Sequence, residues 1–504
     1  MSLQEKTATT LKWNTVDRLS TQLLYAAIGV VLANLLTPEE FGLTGALAIF
    51  QAFAIIFVDS GFGASLLREK DPTQRDYSTV FWFNLLVSLA VYGLLFVGAP
   101  VIARLFDDNE RLIPMSKVMF LTFVIQGLAI VQTNRLMKRM EVKMIAVANI
   151  ISLIAAGGVG VWLAFAGAGA WALVWYAVAQ AAIKTIILWL SGGWWPSWCF
   201  SAESMRKIRR VGISVFSSSL LNTASQNLYN FVIGIVYGLA PLGIYTQADK
   251  YSKMPTASLS QILTSSFVPM LSEAQDRASD FRRYALKSGR FAALVSLPTM
   301  TLLAVAAPDI FHLLFAYKWD AAILLFQILC VRGIFLVLSS FYGNILLALG
   351  KARHIFASEA VKDSLLFAAI VATLGVGTVS ALVWGLLAAT VVTWVIQLCL
   401  TAHALRPFLR TIPTEDKGCG AYGLLLKPLL PYLLPTAMAA VAAIGAAMLL
   451  GGALPEATTT AMTRINAAAL LAAKFLAGAA LFILLLLPFI RTLNFRRSRC
   501  SHGL

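Results

Sequence analysis

Positive side chains stand inside stretches of the sequence that are otherwise apolar. Arg332 lies in the run LFQILCVRGIFLVL with no carboxylate within a helical turn of it, and Arg18 and Lys250 stand in two further runs. A charged side chain at the centre of a bilayer costs at least about 2.5 kcal/mol, so each needs a partner or a wet cavity. Arginine binds two phosphate oxygens at once, and lysine adds a mobile point charge. These residues therefore predict a cationic cavity for an anionic ligand.

Uncharged polar side chains accompany these cations at helical spacing. Gln22 and Tyr25 follow Arg18 at intervals of four and seven residues, which places all three on one face of a helix. Amides recur every four residues in a later stretch. The predicted polar lining of the cavity consists of Gln22, Tyr25, Asn222, Gln226 and Asn230. Hydrogen bonding between helices is the alternative interpretation of the amides, because such contacts are common in helix bundles.

Carboxylates in the same stretches leave several interpretations open. Proton or sodium binding, or a purely structural role, is open for Asp17, Asp59, Asp249 and Asp363. Lys253 follows Asp249 by one turn and Lys362 follows Glu359 by three residues, so local ion pairs can explain both lysines. We still count Lys253 with Arg18, Lys250 and Arg332 as candidate ligand-binding cations. Lys474 interrupts a late apolar run, and we expect it to face a lateral groove.

The whole chain has the composition of a membrane protein. Its 504 residues include 40 Lys and Arg against 24 Asp and Glu, a net charge of +16, yet only 13% are charged and 59% are hydrophobic. About 14 apolar stretches are long enough to cross a hydrocarbon core of about 30 Å. The alternating ten-residue segments of a membrane β-barrel are absent, so the prediction is an all-α integral membrane protein.

The distribution of charge between the apolar stretches predicts the orientation. Most Lys and Arg residues lie in alternate connections. Because positively charged loops stay on the cytoplasmic side, both termini are predicted to be cytoplasmic. The first segment lacks a signal-peptide pattern, so its apolar run is predicted to remain as a helix. A nucleic-acid partner is not expected, since the basic residues follow one face of the membrane.

The sequence repeats itself. TQLLYAAIGVVLANLLTPEEFGLT corresponds to SQNLYNFVIGIVYGLAPLGIYT, APVIARLF corresponds to APDIFHLL, and Gln126-Gly127 falls opposite Arg332-Gly333. The offsets all lie at about 201 to 208 residues and keep their order, which chance apolar similarity does not readily produce. An even number of spans separates the copies, so they are parallel repeats, and ligand sites are expected at the repeat interface.

These observations predict the organisation of the chain. We expect a six-helix lobe at 1–190, a cytoplasmic interfacial linker at 191–210, a second six-helix lobe at 211–403, a linker at 404–428, an extra helix pair at 429–490 and a basic cytoplasmic tail at 491–504. The tryptophans of the first linker, Trp194, Trp195 and Trp198, are expected to anchor it at the membrane surface. Five scattered cysteines and four isolated histidines indicate no disulfide framework, metal site or cofactor.

Four stretches carry a resemblance to a known family: LLTPEEFGLTGAL, DSGFGASLLREKDPTQRDYSTVFWFNL, GLAPLGIYTQADKYSKMP and LLFAYKW. The chain resembles the Wzx-type O-antigen and colanic-acid flippases, whose superfamily includes multidrug and toxin extruders and the peptidoglycan-precursor flippase. The resemblance implies a central cationic cavity that moves undecaprenyl-diphosphate-linked oligosaccharide to the outer leaflet of the bacterial inner membrane by alternating access. It also implies polysaccharide-assembly partners, such as a polymerase, and a lipid-tail groove at the extra helix pair.

Two other functions remain open on the sequence. An ion-coupled drug or small-molecule antiporter of the same architecture would share every topological feature. Carboxylate-dependent export of cationic dyes would favour it. A membrane glycan polymerase or ligase would be expected to have a sizeable external loop with acid, base or arginine groups, and here the outside connections are short.

Overall fold

The computed structural model is predominantly helical over the residues it describes. It describes residues 3–59, 62–315, 317–409, 420–453 and 460–500. Within its helices the description excludes the side chains at 3–8, 11, 59, 62, 64, 207–212, 214–215, 409, 451–453, 460–463 and 487–500. No β-strand occurs among the described residues, and the all-α class predicted from the sequence is confirmed.

The chain divides into two compact units, Met1–Thr246 and Gln247–Leu504. The first unit contains α1 Leu3–Leu35, α2 Pro38–Asp59, α3 Phe62–Arg68, α4 Gln74–Val97, α5 Ala99–Leu105, α6 Leu112–Met119, α7 Leu121–Lys138, α8 Val142–Phe165, α9 Trp171–Gly192, α10 Ala202–Val236 and the first residues of α11 Leu239–Glu273. Most of α11 belongs to the second unit.

The second unit continues with helices of the same kind. It contains α12 Ala278–Val305, α13 Ala307–Phe315, a 3₁₀ turn at Tyr317–Trp319, α14 Asp320–Ala348, α15 Ala352–Leu374, α16 Val379–Leu409, α17 Ala421–Leu426, α18 Leu430–Ala453 and α19 Thr460–Cys500.

Eleven of the described helical segments are long and apolar enough to cross a membrane. The chain is therefore a multi-pass membrane protein, although the count of about 14 spans is not confirmed. Three long helices, α10, α11 and α15, coincide with predicted spans but are not among the eleven. Each of the three carries polar side chains, Asn222 and Gln226 on α10, Lys250 on α11 and Lys362 and Asp363 on α15, which lower its apolar character. The three helices that are not apolar enough to count as membrane spans are thus helices on which the sequence predicts functional polar residues.

The structure repeats a chain break that the sequence repeats. α4 ends before the pair Ala99-Pro100, where the short helix α5 begins. α12 ends before Ala307-Pro308, where the short helix α13 begins. Proline fits the first turn of a helix but not its interior, so the same Ala-Pro pair starts a new helix in both units.

The first turns of α2 and α11 cross at two glycines of the first unit. A Cβ atom on Gly42 would lie 1.8 Å from the carbonyl oxygen of Leu239, and one on Gly243 would lie 1.9 Å from the carbonyl oxygen of Pro38. The two contacts have the same form, and both glycines and both carbonyl residues differ by 201 in number (243 minus 42, 239 minus 38). Only glycine allows so close a backbone approach, and the contact follows the predicted repeat.

The segment after α9 lies across the first unit. Gln132 Nε2 donates to the carbonyl of Trp194 at 2.8 Å, and Trp82 Nε1 donates to that of Ser197 at 2.9 Å. The Trp194 ring is 5% exposed and packs edge-on to Tyr77. The prediction of a membrane anchor is therefore wrong for Trp194, which fills the core of this unit. Trp195 and Trp198 are exposed, and the predicted anchoring role stays a prediction for these two residues.

The extra helix pair α18 and α19 packs against α12 and α13 of the second unit. Gly478 of α19 allows close contact with Leu302 of α12, where a Cβ atom would lie 2.5 Å from a methyl carbon. Lys474 Nζ lies 2.6 Å from Asp309 Oδ2 and also donates to the carbonyl of Val305 at 3.2 Å. The expectation that Lys474 faces a groove is wrong. Its side chain is only 12% exposed, and a buried ammonium requires the carboxylate it has found.

Lys474→Ala is expected to lower the free energy of unfolding by about 3–5 kcal/mol, because it leaves the Asp309 carboxylate buried without its partner. Thermal unfolding of the purified protein in detergent measures the change. The double substitution Lys474→Met with Asp309→Leu should recover most of the loss, and Lys351→Ala, at an exposed lysine of the same unit, is the control. Unfolding of Lys474→Ala at the wild-type temperature would contradict a stabilising pair.

Candidate functional site

The first unit contains a cavity of about 620 Å³ between α1, α2, α7 and α9, which we call the first-unit cavity. The described lining residues are Tyr25, Gln51, Ile55, Gln126, Ala129, Ile130, Thr133, Asn134, Met137, Tyr176, Ala177, Gln180, Ala181, Lys184 and Thr185. Lys184 is the one charged residue among them. The cavity therefore combines amides, hydroxyls and two tyrosine rings with a single positive charge.

Hydrogen bonds fix part of this lining. The Tyr25 hydroxyl donates to Gln180 Oε1 at 2.9 Å, and the ring meets that of Tyr176 edge-on with centroids 6.5 Å apart. Gln51 Nε2 donates to Thr122 Oγ1 at 3.1 Å. The structure thus places Tyr25 on a wall of the first-unit cavity, and its predicted position in a cavity shared by the two repeats stays a prediction. The sequence analysis missed the residues of α9, because nothing in an apolar run shows which turn faces a cavity.

The second unit contains a smaller polar cavity of about 280 Å³ between α11, α14, α15 and α16, which we call the second-unit cavity. The described lining residues are Thr264, Arg332, Leu336, Ser339, Ser340, Gly343, Asn344, Ser358, Glu359, Lys362, Leu366, Thr390, Thr393 and Gln397. Arg332 Nε donates to Thr390 Oγ1 at 3.1 Å, so α16 helps to position the guanidinium. Lys362 pairs with Glu359, as its spacing predicts.

The same face of corresponding helices lines the two cavities. Of six lining positions on α7, five recur on α14 exactly one repeat later, with an offset of 206 (332 minus 126). The pairs are Gln126 and Arg332, Ile130 and Leu336, Thr133 and Ser339, Asn134 and Ser340, and Met137 and Gly343. The apolar position stays apolar, and two polar positions stay polar. The largest chemical difference is at the first pair, where an amide corresponds to a guanidinium.

The glycines that follow Gln126 and Arg332 in the sequence each pack against a neighbouring helix. A Cβ atom on Gly127 would lie 2.9 Å from Ser88 Oγ of α4, and one on Gly333 would lie 2.6 Å from Thr256 Oγ1 of α11. These contacts hold α7 and α14 close to their neighbours on one side. Gln126 and Arg332 line the cavities next to them.

The remaining candidates on α1 and α2 do not line either cavity. Arg18 is exposed and Gln22 is half-buried. Both carboxylate oxygens of Asp17 accept from Asn149 Nδ2 at 3.1 Å, and Thr21 Oγ1 also donates to Asp17 at 3.3 Å. Asp17 therefore joins α1 to α8. The side chain of Asp59 lies outside the described residues. The roles predicted for these four residues stay predictions.

The polar faces of α10 and α11 form contacts along their own helices. Gln226 Nε2 donates to Asn222 Oδ1 at 3.0 Å, and Asn230 Nδ2 donates to Asn227 Oδ1 at 3.4 Å. The ion pair predicted from the spacing of Lys253 and Asp249 is confirmed, with 2.5 Å between Nζ and Oδ2.

Lys250 lies near an aromatic ring and Asp363 near a cation. Lys250 Nζ is 5.4 Å from the centroid of the Tyr251 ring. Asp363 Oδ1 lies 3.9 Å from Lys362 Nζ. Of the predicted ligand-binding cations, Arg332 lines the second-unit cavity. Lys250 and Lys253 line neither the first-unit nor the second-unit cavity. The predicted cavity shared by the two repeats stays a prediction.

A third cavity is apolar. It has a volume of about 520 Å³ in the second unit, between α12, α14, α16 and α18. The described lining residues are Thr301, Ala304, Val305, Leu324, Gln327, Ile328, Val331, Trp384, Leu387 and Ile444. The extra helix pair contributes Ile444. Such a lining suits an acyl or prenyl chain, because it offers apolar surface with few hydrogen-bonding groups.

Comparison with known protein families gives two matches. The family described as "Polysaccharide biosynthesis protein" matches residues 31–324, which is more than half of the chain. The family described as "Lipid II flippase MurJ" matches residues 259–444.

Individual relatives and a solved structure agree with these matches. The chain is 26% identical over 400 residues to the teichuronic acid biosynthesis protein TuaB of Bacillus subtilis, covering 78% of this chain and 82% of TuaB. It is 25% identical over 382 residues to the lipopolysaccharide biosynthesis protein WzxC of Escherichia coli, covering 74% and 76%. Its fold is similar to an inward closed conformation of the lipid II flippase MurJ, with a TM-score of 0.71, 12% identity and coverage of 96% and 99%.

Gly333→Ala is expected to lower the free energy of unfolding by about 1–3 kcal/mol, because its Cβ would overlap Thr256 and shift α14. The apparent melting temperature in detergent measures the effect. Gly93→Ala is the matched control, since among the described residues no atom outside its own stretch of helix lies within 4 Å of the Cβ it would add, and it should be neutral or stabilising. Equal melting temperatures for the two variants would show that the contact at Gly333 is not tight.

Proposed function

The chain belongs to the polysaccharide biosynthesis protein family, and from this premise we propose that it carries a lipid-linked oligosaccharide across the bacterial cytoplasmic membrane. In this proposal it is a membrane transporter and not an enzyme, which the match of residues 259–444 to the family described as a lipid II flippase supports. We further propose undecaprenyl diphosphate as the lipid carrier and alternating access as the mechanism. The relatives are named for different polysaccharides, so the proposal names the class of cargo and neither O-antigen nor colanic acid.

The observation that carries the proposal is a guanidinium on the wall of a cavity within the helical bundle. Arg332 lies on α14, a helix long and apolar enough to span the membrane, and Thr390 holds its Nε at 3.1 Å. This leaves the two terminal nitrogens of the fork to bind phosphate oxygens. A diphosphate group is the part of the cargo that such a fork recognises, because it is anionic and presents several oxygens.

The lipid part of the cargo also has a candidate site. The apolar cavity of the second unit adjoins α18, one of the extra helices. A prenyl chain that enters this cavity leaves lipid hydrocarbon and not water, so van der Waals packing against the lining is what would hold it. In the proposal, α18 and α19 are present because they help to form this surface.

Export of this cargo is electrically favourable. A diphosphate linker carries about two negative charges, and a potential of 100 mV, negative inside, favours the outward movement of each by about 2.3 kcal/mol. Ion coupling is therefore not required. With both termini in the cytoplasm, as the charge pattern predicts, the proposed direction is from the inner to the outer leaflet, where a polymerase and other assembly proteins would act on the cargo.

The contacts of the carboxylates favour this function over cation-coupled drug export. An antiporter for cations needs carboxylates that are free to exchange a proton or sodium ion. Two of the four candidates have strong contacts: Asp249 pairs with Lys253, and Asp17 accepts hydrogen bonds from Asn149 and Thr21. The second-unit cavity carries two cations and one carboxylate among its described lining residues, a balance that suits an anion.

Arg332→Ala is expected to reduce transport of undecaprenyl-diphosphate-linked oligosaccharide about tenfold or more, since a hydrogen bond to a charged group contributes about 1.5–3 kcal/mol. Transport is measured in proteoliposomes with a glycan-degrading enzyme added outside. The enzyme reaches only the lipid-linked oligosaccharide that the protein has moved to the outer leaflet. Arg332→Lys should recover part of the rate, because it keeps the charge without the fork. Thr390→Val should give an intermediate loss, because the guanidinium remains without its positioning contact.

Lys351→Ala, at an exposed position of the same unit, is the control for this series. Wild-type transport by Arg332→Ala, in protein shown to be folded and inserted, would remove Arg332 from the site. Export of cationic dyes that depends on Asp249 or Asp363, without transport of the lipid-linked saccharide, would replace the proposed function with drug export.

A further inference from the structure

We propose that the first-unit cavity is a saccharide subsite, which binds one sugar unit of the cargo and prefers a sugar that carries a carboxylate. The inference rests on the proposed function and adds to it a place where the sugar part of the cargo is recognised. It assigns Gln126 and Lys184 as the residues that contact the sugar.

Gln126 and Lys184 are the polar side chains of this cavity on which the assignment depends. Among the described residues, neither Gln126 nor Lys184 has a hydrogen-bond or ion-pair partner, although most polar groups around them do. Asp17 acts on Lys184 only through a longer-range charge interaction. An amide and an ammonium inside a membrane-spanning bundle need hydrogen bonds from something. A ligand with hydroxyl and carboxylate groups supplies both.

The side chain of Lys184 lies on the cavity wall and not at the end of its helix. It lies on α9 two turns before the helix ends at Gly192, and its side chain is half-buried. The structure puts it on the cavity wall with Gln180 and Tyr176, which lie one and two turns earlier on the same face of the helix.

The rest of the lining has the chemistry of a sugar site. Gln51, Asn134 and Gln180 present amides, each of which donates one hydrogen bond within the protein. Because an amide NH2 group has two hydrogens, each keeps a second donor for a hydroxyl of a pyranose ring. Tyr25 and Tyr176 add flat apolar rings, held edge-on to each other at 6.5 Å. The volume of about 620 Å³ lies in the range of roughly 300–1,000 Å³ that is usual for small-molecule sites.

Comparison with the second-unit cavity separates a sugar site from a phosphate site. At the equivalent position of the repeat the first unit has Gln126 and the second has Arg332. The first-unit cavity therefore lacks the fork that holds two phosphate oxygens and offers only a point charge, which one carboxylate satisfies. It is also more than twice as large, about 620 against 280 Å³. We assign the phosphates to Arg332 and the sugar to the first-unit cavity.

The test measures binding of two defined probes to the purified full-length protein by saturation-transfer difference NMR, which detects weak ligands. Trigalacturonic acid is the acidic probe, and maltotriose is the neutral probe of the same length. The wild-type protein should bind trigalacturonic acid at least about tenfold more tightly, because its carboxylate can accept a charge-assisted hydrogen bond from the Lys184 ammonium. Lys184→Met should abolish the preference, and Gln126→Leu should weaken the binding of both probes.

Two variants serve as controls. Lys184→Arg keeps the positive charge and should keep the preference for the acidic probe. Arg332→Ala alters the second-unit cavity and should leave the binding of both probes unchanged. Each variant is first shown to unfold at the wild-type temperature, which we expect because Gln126 and Lys184 have no partners to lose among the described residues.

The outcomes distinguish this inference from the proposed function. The subsite is overturned if the wild type does not bind trigalacturonic acid, or if Lys184→Met binds it as tightly as the wild type does. Either result stands even where the protein transports lipid-linked oligosaccharide. Displacement of trigalacturonic acid by an equal concentration of inorganic pyrophosphate also overturns it, because the cavity is then an anion site of another kind. Loss of transport in Arg332→Ala, with probe binding intact, agrees with both assignments. Absence of transport by the wild type overturns the proposed function alone.

Discussion

The energetic cost of charge in a bilayer governs the polar features of this protein. A cation among the membrane-spanning helices must find a carboxylate, a hydrogen-bond acceptor or a wet cavity. Lys474 satisfies this requirement with a nearly buried ion pair to Asp309, and this pair joins α19 to α13. Arg332 is positioned on a cavity wall by a threonine. Lys184 lies on a cavity wall with no ion-pair partner among the described residues. The first arrangement is closed and structural, whereas the other two leave a charge available to a ligand.

Duplication explains why two units of one chain each contain a polar cavity. Five positions of α7 recur on α14 with the same offset, and both helices carry a tightly packed glycine beside the first of these positions. The packing side of the helix has thus been kept in both copies. The cavity side has changed where Gln126 corresponds to Arg332. A repeated helix face on which an amide is replaced by a guanidinium is a simple way to obtain two sites of different chemistry.

Much of this organisation could be predicted from the sequence. Composition gave the membrane class, the offsets gave the repeat, and spacing predicted the pairs of Lys253 with Asp249 and Lys362 with Glu359. These features depend on residues close together in the chain or on regular periodicity. The sequence did not predict the partner of Lys474, the burial of Trp194 or the position of Lys184 on a cavity wall. Each of these depends on contacts between residues far apart in the chain, which spacing along one helix does not reveal.

The most direct test of the account is the movement of an undecaprenyl-diphosphate-linked oligosaccharide between the leaflets of liposomes that contain the purified protein. The account predicts movement that requires the protein and that favours the side away from an imposed negative potential, because the cargo carries about two negative charges. Equal movement in protein-free liposomes, or a distribution that favours the negative side, would contradict the central claim that the protein moves an anionic lipid-linked saccharide.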